Sequence, residues 1–173
     1  MLGKKERHTL ADYVTGVEET STNKIVLYSS AQTGKTTELK QLCWELQQSG
    51  LYLPVSFEVR TNTKLKRDDL PESQYVDGRE VVLVIDALDE VNGQKYEDLL
   101  EEIGGYAYEH PEMKMVLSCR SNFRRERQLE LFTELFLEEL SIDDARDYAA
   151  KREVNSDRFM RSVFANQLED FIK

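Results

Sequence analysis

The stretch SSAQTGKTT at 29–37 contains residue types that together can hold a phosphate group. Gly34 lets backbone N–H groups approach an anion closely, Lys35 supplies a positive charge, and Thr36 supplies a hydroxyl that can coordinate Mg²⁺. The usual pattern G-x-x-x-x-G-K-[ST] has a glycine where this chain has Ser29. If that position needs a positive φ, the serine costs on the order of 1 kcal/mol. The stretch predicts a phosphate-binding loop, and a GKT triplet in an unrelated turn is the alternative.

A second group of candidate residues, DALDE at 86–90, directly follows the apolar run VVLVI. Asp86 ends that run, and a carboxylate at a strand tip is the hard oxygen ligand that a magnesium-bound nucleotide needs. We expect this tip to lie on the strand adjacent to the one that precedes the loop. An acidic turn after a core strand is the alternative, and the GKTT loop earlier in the same chain argues against it.

Two alternating periodicities indicate which elements must position these residues. Short apolar or β-branched runs predict five strands, at 25–28, 51–59, 81–85, 113–118 and 131–137. Pro54 predicts that the second of them is an edge strand. Apolar positions at helical spacing predict a helix from Lys35 to Gly50 and another that ends before Pro111. This alternation predicts an α/β fold with a parallel, roughly five-stranded sheet, helices on both faces, and ligands at the carboxyl ends of the strands.

The chain divides into an N-terminal segment, a core and the start of a helical domain, at 1–22, 23–140 and 141–173. Within the core, residues 61–79 are polar and turn-rich, and we expect a connection there with one helical turn around 65–70. In the third segment, Ser141 and Asp144 resemble a capping box, and a later helix carries apolar residues such as Phe159 on one side. Because little chain remains to cover that side, we expect a piece of a longer protein that tends to self-associate.

Composition argues against several other classes of protein. The net charge of −10, from 33 acidic and 23 basic side chains, opposes non-specific attraction to nucleic acid or an anionic membrane. No apolar run approaches the roughly 20 residues that span a bilayer, and the first residues lack a signal-peptide pattern, so we expect a cytoplasmic protein. Cys43 and Cys119 are expected to be reduced and buried, and with two distant histidines they predict no metal-ligand cluster.

Together these stretches resemble the NACHT family of P-loop NTPases, within the STAND class of signalling proteins. Four stretches carry the resemblance: SSAQTGKTT at 29–37, VVLVIDALDE at 81–90, MVLSCR at 115–120 and FLEELSIDDARDYAAK at 136–151. The third departs from the family's usual Ser-Arg or Thr-Arg ending, because Cys119 lies between Ser118 and Arg120. The resemblance covers roughly residues 25–152 and implies a three-layer P-loop NTPase fold that leads into a helical lid domain.

The resemblance implies a nucleotide-operated switch. In such a switch Mg²⁺ with ATP, which we favour over GTP, holds an open, oligomerising state, and ADP holds a closed one. The family also implies effector and sensor domains as partners on the full-length chain, and a homo-oligomer on activation. Bacterial relatives commonly serve in antiviral defence and animal relatives in innate immunity, and this chain alone does not select between them.

The resemblance also assigns roles to individual residues. The phosphates would be held by the loop residues, which are Ser29, Gly34, Lys35, Thr36 and Thr37. Thr36 and Asp86 would hold Mg²⁺. Asp89 or Glu90 would polarise the attacking water, and Arg120 would sense or stabilise the γ-phosphate. For Arg120 the alternative is a surface arginine in a charged loop.

Two other functions stay open at this point. One is a nucleotide-binding regulatory module that does not hydrolyse. The other is a small-molecule or nucleoside kinase, which needs an acceptor pocket and usually an arginine-bearing lid, and Arg124, Arg125 and Arg127 could imitate one. DALDE argues against the kinase, because a kinase has no use for a second carboxylate pair that activates water. We expect this chain alone to hydrolyse slowly, because positive charge at the γ-phosphate often comes from another domain or subunit.

Overall fold

The structure of the protein, a computed structural model, describes residues 9–16, 22–31, 33–59, 65–91, 93–124 and 129–138, and single residues 141, 143, 144, 146, 150 and 161. Between residues 9 and 138 the described α-helices are α1 at Leu10–Thr15, α2 at Lys35–Ser49 and α3 at Gln94–Glu109. The described strands are β1 at Lys24–Ser29, β2 at Tyr52–Glu58, β3 at Tyr75–Val76, β4 at Arg79–Asp86, β5 at Lys114–Arg120 and β6 at Thr133–Phe136.

The strands form one sheet in the order β2, β4, β5, β1, β6, in which every neighbouring pair is parallel. This confirms the predicted α/β fold with a parallel sheet of about five strands. The short strand β3 lies where only a connection is predicted, and it pairs antiparallel with β4. Asp77 and Gly78 both have a positive φ, 51° and 76°, which is the backbone of a hairpin turn that Asp-Gly favours. The stretch 61–79 therefore contains a hairpin strand as well as the predicted helical turn, at Arg67–Asp69.

The sheet lies between two layers of helices. On one face, α1 and α2 pack over side chains that include Ile25, Leu27 and Val84. On the other face, α3 packs over side chains that include Val26 and Leu83. Successive strand residues point to opposite faces, and both faces are covered, so β1 is buried along its whole length. The predicted three-layer arrangement is confirmed.

The strand order corrects one expectation about the site. β5 lies between β1 and β4, so the strand that ends in Asp86 is not adjacent to the strand that precedes the loop. α2 follows the loop and packs against β2 at the far edge of the sheet, and it also contacts β4. Because α2 packs against both β2 and β4, its start lies near Asp86 at the end of β4. The edge position of β2 confirms the prediction made from Pro54.

The two cysteines differ in burial, although both are free thiols. Cys119 is buried as predicted, but Cys43 is only partly buried, so the expectation of two buried thiols is wrong for that residue. The reason is its place on α2, where the fully buried positions are Leu39, Leu42 and Leu46 and Cys43 lies at the side of that stripe. A partly buried position on an amphipathic helix accepts a small, weakly polar side chain.

Capping boxes are present at Thr9 and at Ser141. The predicted N-terminal segment contains α1, whose start is a reciprocal pair of hydrogen bonds between Thr9 and Asp12. At the predicted start of the helical domain, Ser141 N donates to Asp144 Oδ2 (2.8 Å) and Asp144 N donates to Ser141 Oγ (3.2 Å). The predicted capping box is therefore present, whereas the apolar helix around Phe159 lies outside the described residues.

In the part of the chain that the structure describes, no helix has the length and apolar character to cross a bilayer.

Candidate functional site

The predicted phosphate-binding loop connects β1 to α2. Gly34 precedes the first helical residue, Lys35, and has a φ of 94°, a conformation that glycine adopts without steric cost. Lys35 and Thr36 therefore lie in the first turn of α2, where unpaired backbone N–H groups and the helix dipole favour an anion. A strand, a tight turn and a helix start in this order form a site that can receive a phosphate.

Ser29 fits the loop without the strain that a positive φ would bring. It is the last residue of β1, and it is not among the described residues with a positive φ. Its buried Oγ accepts a hydrogen bond from Lys35 Nζ (3.0 Å), which also donates to the Ser30 carbonyl oxygen (3.2 Å). Burial lowers the pKa of Lys35, and the nearby Asp89 carboxylate opposes that shift.

Thr36 and Asp86 meet although they are 50 residues apart in the sequence. Thr36 Oγ1 donates to Asp86 Oδ2 at 2.7 Å, so the hydroxyl at the start of α2 touches the carboxylate at the tip of β4. A hydroxyl and a carboxylate oxygen side by side are the hard ligands that Mg²⁺ takes in nucleotide sites. The two residues predicted to hold Mg²⁺ therefore lie together, and their chemistry fits that ion.

Ser118, which the sequence analysis did not assign to the site, orients Asp86. Its Oγ donates to Asp86 Oδ1 and accepts from the backbone N–H of Ala87 (3.0 Å). Ile85 pairs with Leu117, so Asp86 and Ser118 follow side by side at the ends of β4 and β5. The sequence signal that could have identified Ser118 is a serine within a run of apolar strand residues. In the structure this serine has no exposed surface. A buried hydroxyl needs partners, and here the partners are in the site.

Cys119 does not intrude on the site, because it points to the opposite face of the sheet from Ser118 and Arg120. It packs in the core cluster under α3, and its Sγ lies 3.5 Å from Tyr96 Oη. Burial raises the pKa of this thiol to about 11, so it is protonated at neutral pH. The residue that separates Ser118 from Arg120 therefore preserves the alternation that places both on the site's face.

Asp89 and Arg120 form an ion pair across the site. Arg120 Nε lies 2.8 Å from Asp89 Oδ2, and the Arg120 backbone N–H donates to Asp89 Oδ1 at 2.9 Å. The Asp89 side chain is 4% exposed and the Arg120 side chain 45%. One of the two candidates for activating water is thus engaged through both carboxylate oxygens. Glu90, the other candidate, is exposed and lines the same cleft.

The predicted residues border one cleft of about 310 Å³. Its lining residues are Thr33, Gly34, Lys35, Thr36, Asp86, Ala87, Asp89, Glu90 and Arg120. Ser29 lies beneath the loop in contact with Lys35, and Thr37 is exposed on the first turn of α2 outside the lining set. Apart from these two, every residue assigned to the site by sequence lies around the same space.

Arg124, one of the three candidate lid arginines, is bound to Glu134. Its Nε donates to Glu134 Oε1 at 2.7 Å, and its Nη2 lies 2.6 Å from Glu134 Oε2. This two-point pair ties the segment after β5 to β6. Arg125 and Arg127 lie outside the described residues.

Ala87 adopts a left-handed backbone, with a φ of 65° and a ψ of 40°. We expect Ala87→Gly to stabilise the protein by about 1 kcal/mol, because glycine adopts this conformation without a clash at Cβ. The melting temperature followed by circular dichroism should rise by roughly 2 to 4 °C. Ala107→Gly in the buried part of α3 is the matched control and should lower the melting temperature. A fall for both variants would show that Ala87 carries no strain.

A parallel α/β sheet, a glycine-containing loop between β1 and α2, and an acidic strand tip facing that loop define the fold of a P-loop NTPase. Among solved structures, the chain is similar to Hsp104, an AAA+ protein, in a closed-state cryo-EM reconstruction with ATPγS and FITC-casein. The TM-score is 0.50 at 14% identity, over 73% of this chain and 25% of that chain, so the likeness shows the fold alone. This chain thus spans about a quarter of the Hsp104 chain. No protein-family model and no curated protein matches the sequence.

Proposed function

We propose that this chain is the nucleotide-binding switch domain of a larger NACHT-type signalling protein, and that it binds Mg-ATP and Mg-ADP. The observation that carries the proposal is the 2.7 Å contact between Thr36 Oγ1 and Asp86 Oδ2 in the cleft that Lys35 lines. It joins a phosphate-binding loop to a magnesium ligand that comes from a distant part of the sequence. The four stretches that resemble the NACHT family favour a signalling switch among P-loop NTPases.

In this proposal the loop and the start of α2 bind the phosphates, and the end of β4 contributes to the Mg²⁺ site. The N–H groups at the start of α2 and the Lys35 ammonium bind the phosphates. Thr36 and Asp86 hold Mg²⁺, which when bound neutralises charge on the phosphate oxygens. Ser118 holds Asp86 in place through a hydrogen bond to the carboxylate oxygen that Thr36 does not use. The loop and the acidic tip are thus ready to receive a nucleotide.

The Asp89–Arg120 pair divides the proposed roles of the acidic residues. Asp89 uses both oxygens to hold Arg120, so we assign to Glu90 the task of polarising water. Arg120 uses Nε for this pair, and among the described residues no acceptor takes its terminal N–H groups, so we assign these groups to the γ-phosphate. An arginine that binds the γ-phosphate distinguishes ATP from ADP. The ATP-bound and ADP-bound states would then differ in the contacts of Arg120 at the end of β5. A switch requires such a difference between its states.

A module that binds nucleotide without hydrolysis is the second candidate. The engagement of Asp89 by Arg120 favours it, because a carboxylate that holds an arginine through both oxygens is not placed to activate water. The kinase has less support, because Arg124 is paired with Glu134. The hydrolysing switch and the non-hydrolysing module share the same binding site, and they differ in whether they turn over ATP.

Magnesium dependence of nucleotide binding tests the proposal. Calorimetric titration with ADP, ATP and GTP should show binding with Mg²⁺ and at least about tenfold weaker binding in EDTA. Asp86→Ala should remove most of that difference, because it deletes the carboxylate ligand. Asp98→Ala, an exposed acidic residue on α3, is the matched control and should behave as the wild type. Equal affinity in Mg²⁺ and EDTA would contradict the proposed magnesium site.

A further inference from the structure

Ser29 uses its full hydrogen-bonding capacity inside the loop. A serine hydroxyl has one proton to donate and two lone pairs to accept with. Ser29 Oγ donates to the Ser30 carbonyl oxygen (3.0 Å) and accepts from Lys35 Nζ (3.0 Å) and from Thr33 Oγ1. Ser29 as a whole is 3% exposed. Glycine, which the usual loop pattern has at this position, can make none of these contacts.

These contacts also determine where the Lys35 ammonium lies. Two of its three N–H donors go to Ser29 Oγ and the Ser30 carbonyl oxygen. In the described part of the chain no other acceptor takes the third donor, and Lys35 lines the cleft. One donor is therefore left for an anion. The ammonium is held by two contacts on the loop side before any phosphate arrives.

We propose that Ser29 is a positioning residue whose hydroxyl holds the Lys35 ammonium in place for a phosphate. The usual loop pattern has glycine at this position, so it has no side chain that could do this. The inference rests on the proposed function and deepens it. A lysine that is already held loses less side-chain freedom on binding, so more of its interaction with phosphate contributes to affinity. Thr33 supports the arrangement, because its hydroxyl donates to Ser29 Oγ.

Ser29→Ala should change two measurements, and the first of them responds to the Ser29–Lys35 contact itself. In nucleotide-free protein, the Lys35 amine should be acylated several-fold faster, measured by mass spectrometry relative to Lys40, because the amine loses one of the two contacts that hold it against the loop and becomes more accessible to the reagent. The affinity for Mg-ADP should fall about tenfold. Ser29→Thr keeps the hydroxyl and should restore both values, and Ser29→Gly should reproduce the defects of the alanine variant.

The outcomes separate this inference from the proposed function. Faster Lys35 acylation in Ser29→Ala and Ser29→Gly, with weaker Mg-ADP binding and rescue by threonine, would support it. Unchanged acylation of Lys35 would overturn it, whether or not nucleotide affinity changes, because Ser29 would then not act through Lys35. If the wild type binds no Mg-nucleotide while acylation still responds, the proposed function fails and the Ser29–Lys35 contact stands.

Discussion

Lys35→Ala will lower the affinity of the protein for Mg-ADP and Mg-ATP by more than about 100-fold, equivalent to the loss of a strong charged hydrogen bond. The cleft contains two cationic side chains, Lys35 and Arg120, and three acidic ones, Asp86, Asp89 and Glu90. Removal of Lys35 leaves the carboxylates in excess around the place where a phosphate would bind. Because the cleft is partly shielded from water, this repulsion is screened less than on an open surface.

A titration with a fluorescent nucleotide measures this effect. Lys40→Ala is the matched control, because Lys40 is an exposed lysine on the same helix outside the lining of the cleft. Its affinity should equal that of the wild type. Circular dichroism should show that both variants are folded. An unchanged affinity in folded Lys35→Ala would defeat the assignment of the loop.

The second large effect concerns the rate of ATP hydrolysis that belongs to the proposed function. Glu90→Gln should lower kcat by about 100-fold or more, the usual contribution of a general base, and leave nucleotide affinity nearly unchanged. Asp89→Asn should have a different signature. It keeps an acceptor for the Arg120 N–H but removes the charge that holds Arg120 Nε, so the preference for ATP over ADP should change.

Steady-state hydrolysis and separate titrations with ATP and ADP distinguish the two carboxylates. A loss of kcat in Glu90→Gln with a retained affinity would assign the water-activating role to Glu90. Normal hydrolysis by both variants would place that role elsewhere in the protein. Loss of hydrolysis in Asp89→Asn alone would reverse our assignment of the two residues.

Local patterns predicted the elements and most of the residues that line the cleft. The β-branched run before Asp86 indicated a strand buried on both faces, and β4 is such a strand. The GKT sequence after β1 predicted a loop followed by a helix start, and α2 begins at Lys35. The turn at Asp77-Gly78 could also have been predicted, because an Asp-Gly pair is a strong hairpin signal. The short strand before it was not predicted, because the residues around it are polar. All of these features depend on residues within a few positions of one another.

The order of the strands and the contacts between their tips were decided only by the tertiary structure. Hydrophobic periodicity shows that a strand exists and that it is buried, but it carries no information about which strand lies beside it. The placement of β5 between β1 and β4 brings Ser118 beside Asp86 and Arg120 beside Asp89. These pairs lie 32 and 31 residues apart in the sequence, so their partners follow from how the whole sheet packs. The sequence predicted the loop and the acidic tip, and the fold decided which carboxylate contacts Thr36 and which one holds Arg120.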